Sequence, residues 1–186
     1  LIVGLSLVSL AMMFLVLYSR YQSVVLAAII MANIPLALIG SVVAMWIADV
    51  SLSVASMVGF ITLTGIATRN GILKISHYIN LCKFEGESFG QAMIVRGSLE
   101  RLTPVLMTAL VAAFALTPLL LAADAPGKEI LHPVAVVIFG GLVSSTLLDT
   151  LLTPLLFWLF GEKPLRRLLG EAAHTPEAVA GTQEAY

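Results

Sequence analysis

Arg69, Lys74, His77, Arg101, Thr108 and Asp149 carry charge or a movable hydrogen bond inside a sequence that is otherwise strongly apolar. Arg69 lies near the middle of the run GFITLTGIATRNGILKISHY. A charged side chain at membrane depth costs about 2.5–3.5 kcal/mol on insertion scales, so it needs a partner or a wet cavity. Two readings follow. Arg69 ties its helix to a structural carboxylate, or it is a cation that responds when a nearby carboxylate is protonated, as proton-coupled transport requires. Thr62, Thr64, Gly65, Thr68 and Asn70 around it are small or polar, which suits a helix facing protein rather than lipid. Lys74 and His77, three apart near one end of the run, are expected to snorkel to the membrane surface. In ERLTPVLMTAL, Thr103 and Pro104 have the character of an N-cap and a first helical residue. If that helix starts earlier, Arg101 and Thr108 are seven residues apart and share a face. By itself, a Thr hydroxyl such as that of Thr108 more often bonds its own helix backbone. Asp149 sits about midway along the last apolar run, in FGGLVSSTLLDTLLTP. It can pair with Arg69, titrate with it, or hydrogen-bond in its protonated form, and a purely structural role is as good a reading as transport.

The elements that must position these residues follow from composition. Of 186 residues, 59% are hydrophobic and 11% charged, with a mean hydropathy of +1.01. Soluble domains run at about 45–50% apolar and about 25% charged. Too few charges remain to cover a water-facing surface, which argues against a soluble enzyme. A net charge of −1 offers no basic face for nucleic acid. One cysteine, Cys82, makes no intrachain disulfide. No nucleophile–base constellation, phosphate loop or HExxH motif is present, so neither an enzyme nor a bound cofactor is expected. The seven methionines are scattered and read as packing rather than as a metal ladder.

A membrane helix needs roughly 20 apolar residues. Five runs qualify, at about 1–18, 24–47, 54–79, 104–123 and 133–160. Residues 88–99 read as a short amphipathic helix on the membrane surface, capped by Ser88. Residues 168–186 read as a polar tail without fixed structure. The chain starts without Met inside an apolar run and so reads as a piece of a longer protein. The expected fold class is an all-α membrane protein, a bundle of about five transmembrane helices plus that interfacial helix. Arg20, Lys83, Arg96, Arg101, Lys163, Arg166 and Arg167 fall on one side of an alternating topology, and Lys128 on the other. The positive-inside rule then puts the first and third connections and the C-terminus in the cytoplasm.

GFITLTGIATRNGILKISHY, ERLTPVLMTALVAAFALTPLLL and the glycine pair before SSTLLDTLLTPLLF, in that order and spacing, resemble the C-terminal membrane portion of resistance-nodulation-division (RND) efflux pumps. The resemblance runs to about residue 167. It implies half of a twelve-span permease in the bacterial inner membrane, exchanging inward protons for outward substrate. Its implied partners are the remainder of the same permease, two further copies in a homotrimer, a periplasmic adaptor protein and an outer-membrane channel. Arg69 takes the position where drug-exporting members carry a relay lysine, and Asn70 follows it as in those members. Arg101 and Thr108 match the arginine and threonine that complete the relay on the next helix. The relay aspartates belong to the other half of such a permease. Arg cannot shuttle a proton as Lys can, but it can act as a fixed cation that changes partner when an aspartate protonates.

The outward connection GKEILHPVAVVIFGG and the run RNGIL look most like heavy-metal exporters. Two positions depart from the copper–silver branch. That branch has a lysine where this chain has Val105, and an acidic residue where Arg69 stands. Asp149 is in turn atypical of drug exporters. The expected substrate is a metal cation, with the ion open and its selecting residues outside this sequence. The alternatives are an exporter of drugs or other hydrophobic compounds, and a non-transporting membrane scaffold of the same fold.

Overall fold

The computed structural model describes residues 1–86, 88–122 and 126–172. It is a bundle of helices, α1 (Ile2–Tyr21), α2 (Val24–Ile47), α3 (Val54–Phe84), α4 (Gln91–Leu121), α5 (Leu131–Phe160) and α6 (Glu162–Ala172), with no strand among the described residues. Four of these (Val3–Tyr21, α2, α4 and α5) are long and apolar enough to cross a membrane. At 31 residues α3 has the length as well, but it carries Arg69, Lys74 and Lys83.

Serines set the helix starts. Ser23 Oγ accepts the Leu26 N–H at 3.4 Å and opens α2. Ser53 and Ser56 cap α3 reciprocally, each hydroxyl accepting the other's backbone N–H at 3.2 and 3.4 Å. Gln22 closes α1 in the left-handed conformation, and Asp49 turns the chain after α2 in the same way.

The residues expected as a surface helix at 88–99 are helical from Gln91 and run unbroken into the fourth apolar segment. Gly90 is the N-cap, with no side-chain cap, so Ser88 does not cap this helix. Pro104 lies inside α4 rather than at its start. A proline interrupts a helix by removing one N–H and crowding the preceding turn, but here the amphipathic stretch before Pro104, anchored by buried Met93, Ile94 and Gly97, runs on into the apolar stretch after it. Arg101 and Thr108 consequently share one continuous helix.

The tail assignment also changes. Residues 168–172, expected to lack structure, complete α6. Leu165 of α6 is fully buried, and Leu168 and Leu169 pack on the core, which gives this short amphipathic helix a surface to dock on. Residues 173–186 lie outside the described residues, as do 123–125 at the end of the fourth expected run.

Helices α2 and α5 make the tightest crossing. A Cβ at Gly40 would overlap Ser144 Cβ, one at Gly140 would overlap Ala44 Cβ, and one at Gly141 would overlap Leu63 of α3. Close approach lets side-chain hydroxyls bond the neighbouring backbone. Ser41 Oγ donates to the Val137 carbonyl at 2.8 Å, and Ser144 Oγ to the Leu36 carbonyl at 2.9 Å. Where lipid replaces water, helices gain little by hiding apolar surface, and close packing with interhelical hydrogen bonds holds the bundle.

The main core gathers at the end where α1 meets α2 and α5 meets α6, around Leu17, Leu26, Ile30, Tyr78, Leu81, Phe157 and Leu165. The Tyr78 and Phe157 rings lie 4.8 Å apart. Tyr21 Oη hydrogen-bonds Ser76 Oγ at 2.7 Å and joins α1 to α3. Large apolar side chains such as Val43, Trp46, Met107, Val111 and Phe114 face outward, as a lipid- or protein-facing exterior requires.

Candidate functional site

Thr68-Arg69-Asn70 form the middle of α3, and the register of that helix divides the three. Thr68 is buried, with its hydroxyl on the Thr64 carbonyl at 2.9 Å and near Met13 Sδ. Arg69 is exposed and Asn70 half-buried, on the flank toward α4. There Arg69, Asn70, Leu73 and Lys74 face Arg101, Pro104, Val105 and Thr108 across a cleft of about 100 Å³. The four residues nominated as a relay (Arg69, Asn70, Arg101 and Thr108) therefore line one space. The unbroken course of α4 through Pro104 puts Arg101 and Thr108 on it together. Neither the Arg69 nor the Arg101 guanidinium has an ion-pair partner among the described residues. Thr108 Oγ1 donates to the Val105 carbonyl at 2.9 Å, the local bond expected of a lone helical threonine.

Asp149 does not pair with Arg69. Its partner is Lys74, whose Nζ lies 2.7 Å from Asp149 Oδ2 and donates to the Asp149 carbonyl oxygen at 2.9 Å. The expectation that Lys74 snorkels to the surface is corrected by the same contact. Its side chain is 5% exposed and that of Asp149 2%, so the pair is closed inside the bundle. The cause is helical register. Lys74 belongs to the buried face of α3 with Ala67, Gly71 and Tyr78, while Arg69 points away from that face.

The second Asp149 oxygen takes a hydrogen bond from the Thr153 hydroxyl one turn on. Thr153 Oγ1 also lies 3.1 Å from the Asn33 side-chain amide of α2. One hydroxyl proton serves one acceptor. The Asn33 atom in that contact is Oδ1, so Asp149 and Asn33 compete for the Thr153 proton, and Asn33 Nδ2 has no hydrogen-bond partner among the described residues. Lys74, Asp149, Thr153 and Asn33 thus run from α3 through α5 to α2.

His77 does not reach freely to solvent. Its Nε2 lies 2.7 Å from Glu100 Oε2 of α4, and Arg96 Nε donates to the other Glu100 oxygen at 2.9 Å. This exposed cluster joins the start of α4 to α3. Among the described residues no group of three or more His, Cys, Asp or Glu side chains could hold a metal ion.

A membrane-type bundle with two arginines on one α3–α4 cleft and an α2–α5 seam of glycines matches one family model, AcrB/AcrD/AcrF, over residues 2–161. The chain belongs to the AcrB/AcrD/AcrF family. It is 37% identical over 177 residues to the cobalt-zinc-cadmium resistance protein CzcA of Cupriavidus metallidurans, which is 95% of this chain and 16% of that protein. It is 36% identical over 138 residues to the nickel-cobalt-cadmium resistance protein NccA of Alcaligenes xylosoxydans xylosoxydans, 74% of this chain and 12% of that one. A crystal structure of a heavy metal efflux pump superposes with a TM-score of 0.71 at 39% identity, covering 82% of this chain and 15% of the pump. The chain therefore spans about one sixth of the length of such relatives. The resemblance to RND permeases, and within them to heavy-metal members, is shown by these matches.

Proposed function

We propose that this chain is the C-terminal membrane portion of an inner-membrane RND permease that exports metal cations in exchange for protons. The observation that carries the reading is the pair of cations Arg69 and Arg101, without an ion-pair partner among the described residues, on one cleft between apolar helices. Cations in such surroundings need an anionic partner. In this reading the rest of the permease supplies one or more carboxylates to the cleft. Protonation of a carboxylate cancels its attraction to Arg69 and Arg101, and loss of the proton restores it. The proton rides on the carboxylate, because guanidinium stays charged throughout. Asn70 offers hydrogen bonds at the edge of the same cleft, and Thr108 Oγ1, whose proton goes to the Val105 carbonyl, is left as an acceptor there. The metal-cation substrate is inferred from the resistance proteins among its relatives.

The permease acts in this reading as a homotrimer with a periplasmic adaptor and an outer-membrane channel. In this reading the ends of α1 and α3 that carry Arg20 and Lys83 face the cytoplasm, as do α6 with Lys163 and the C-terminus. The test uses the full-length permease with its adaptor and channel in an efflux-deficient host. Growth protection is measured against copper, silver, zinc, cobalt, cadmium and nickel, with dyes and detergents alongside. Protection against one group of metals, lost in Arg69→Ala at equal expression, is the expected result. Protection against dyes and no metal overturns the substrate assignment. Undiminished efflux by Arg69→Ala overturns the relay.

A further inference from the structure

Lys74 belongs to two places at once. It lines the cleft beside Arg69 and Arg101, and its ammonium is turned away from that cleft onto Asp149. If all three cations faced the cleft, an arriving carboxylate would meet a charge of three, one of them on a group that can lose its proton. Asp149 removes that third charge. Thr153 holds the carboxylate for the task, and no acidic residue besides Asp149 occurs anywhere in α5.

We propose that Asp149 is a positioning residue that keeps the charge of Lys74 out of the relay cleft, so that only the permanent cations Arg69 and Arg101 face the proton-carrying carboxylate. This inference rests on the proton-coupled reading above. The other groups facing Lys74 do not take over the role. On α3, Tyr78 Oη is bonded to Ser98 Oγ of α4 at 2.6 Å, and His77 is held by Glu100. Glu100 is occupied by His77 and Arg96. Helix α2 has no charged side chain, and the Tyr21 hydroxyl of α1 is spent on Ser76 and the Ile72 carbonyl. A third cation released into the cleft would favour the charged form of the incoming carboxylate, which would then need a more acidic medium to take up its proton.

The experiment uses membrane vesicles from cells expressing the full-length permease, adaptor and channel. Proton movement on adding zinc, cobalt or cadmium chloride is followed over a series of pH values. Asp149→Asn should move the acid midpoint of transport down by on the order of one pH unit. Lys74→Met/Asp149→Asn should bring it back to that of the unsubstituted pump. Where Asp149→Asn fails to accumulate, Lys74→Met/Asp149→Leu replaces the buried pair by apolar groups and should transport with the unsubstituted midpoint. An unmoved midpoint in a transporting Asp149→Asn pump overturns the inference. So does a shifted midpoint in either double variant, or a double variant that folds and does not transport. Metal transport by the unsubstituted pump that moves no protons would instead overturn the proton-coupled reading itself, so the two failures are told apart.

Discussion

Lys74 holds α5 at two points, with its ammonium 2.7 Å from the Asp149 carboxylate and 2.9 Å from the Asp149 backbone carbonyl. A helix carbonyl is normally satisfied within its own helix, so this second bond fixes the height of α3 against α5 as well as the charge balance. Deleting one member of a buried pair leaves the other ion stranded, at a cost of about 3–5 kcal/mol. Lys74→Met should therefore lower the thermal stability of the detergent-solubilised permease sharply. Lys74→Met/Asp149→Leu should recover most of the loss. Equal destabilisation in the single and double variants would show that the pair is not the source.

The glycine seam makes a second prediction. Gly140→Leu and Gly141→Val each place side-chain atoms where Ala44, Leu63 or Ser41 already stand, so α5 must move off α2 or α3. Size-exclusion profiles of these variants should show loss of the folded permease. Gly65→Ala is the control, since nothing lies within 4 Å of the added methyl. Normal folding of Gly140→Leu would mean that α2 and α5 separate more easily than this crossing implies.

Much of this architecture was legible in the sequence because apolar runs and the serines before them report helices directly. Ser23 caps α2 where the sequence changes from polar to apolar. Less legible was which polar residues face one another. Gly141, Ser145, Asp149, Thr153 and Phe157 recur every fourth residue, and all five are buried on one face of α5. On α3, Ala67, Gly71, Lys74 and Tyr78 trace the matching face. That spacing was available to find the Lys74–Asp149 pair. Reading depth in the membrane alone hid it, since depth favours Arg69 as the partner and treats Lys74 as free to snorkel. The run of α4 through Pro104 was hidden for another reason. Proline at a plausible first helical position reads as a start, and only packing of Met93, Ile94 and Gly97 against α3 and its neighbours shows that helix precedes it. Gly97 is required there because a Cβ would press on the Tyr78 ring at 2.7 Å.

Helix α6 should act as a plug on the main core. Phe157 is fully buried between Tyr78 and Phe89, with ring centroids 4.8 and 5.8 Å away, and Leu165 is buried in the same cluster. Phe157→Ala should cost about 3–5 kcal/mol, as large-to-small changes in tight cores do. Leu165→Glu should destabilise as well, by burying a charge with no partner. Both are read from unfolding midpoints. A Leu165→Glu protein as stable as the parent would show that α6 lifts off without loss.

The two arginines of the cleft should differ in what replaces them. Arg69→Ala removes a fixed cation and should abolish metal efflux at normal expression, and Arg101→Ala should weaken it. Arg69→Lys keeps the charge, and the carboxylate still meets a cation, so efflux should persist. Lysine presents a compact ammonium where arginine presents a planar fork, so a two-point hold on a carboxylate is lost while the attraction remains. The retained activity should then come with a lower apparent affinity between the cleft and its carboxylate, read as transport that saturates with protons at a higher pH. Thr108→Val separates charge from hydrogen bonding at the same cleft. Its hydroxyl is already spent on the Val105 carbonyl, so the loss should be small beside that of Arg101→Ala. A Thr108→Val pump as inactive as Arg69→Ala would mean that this hydroxyl leaves its own helix during transport.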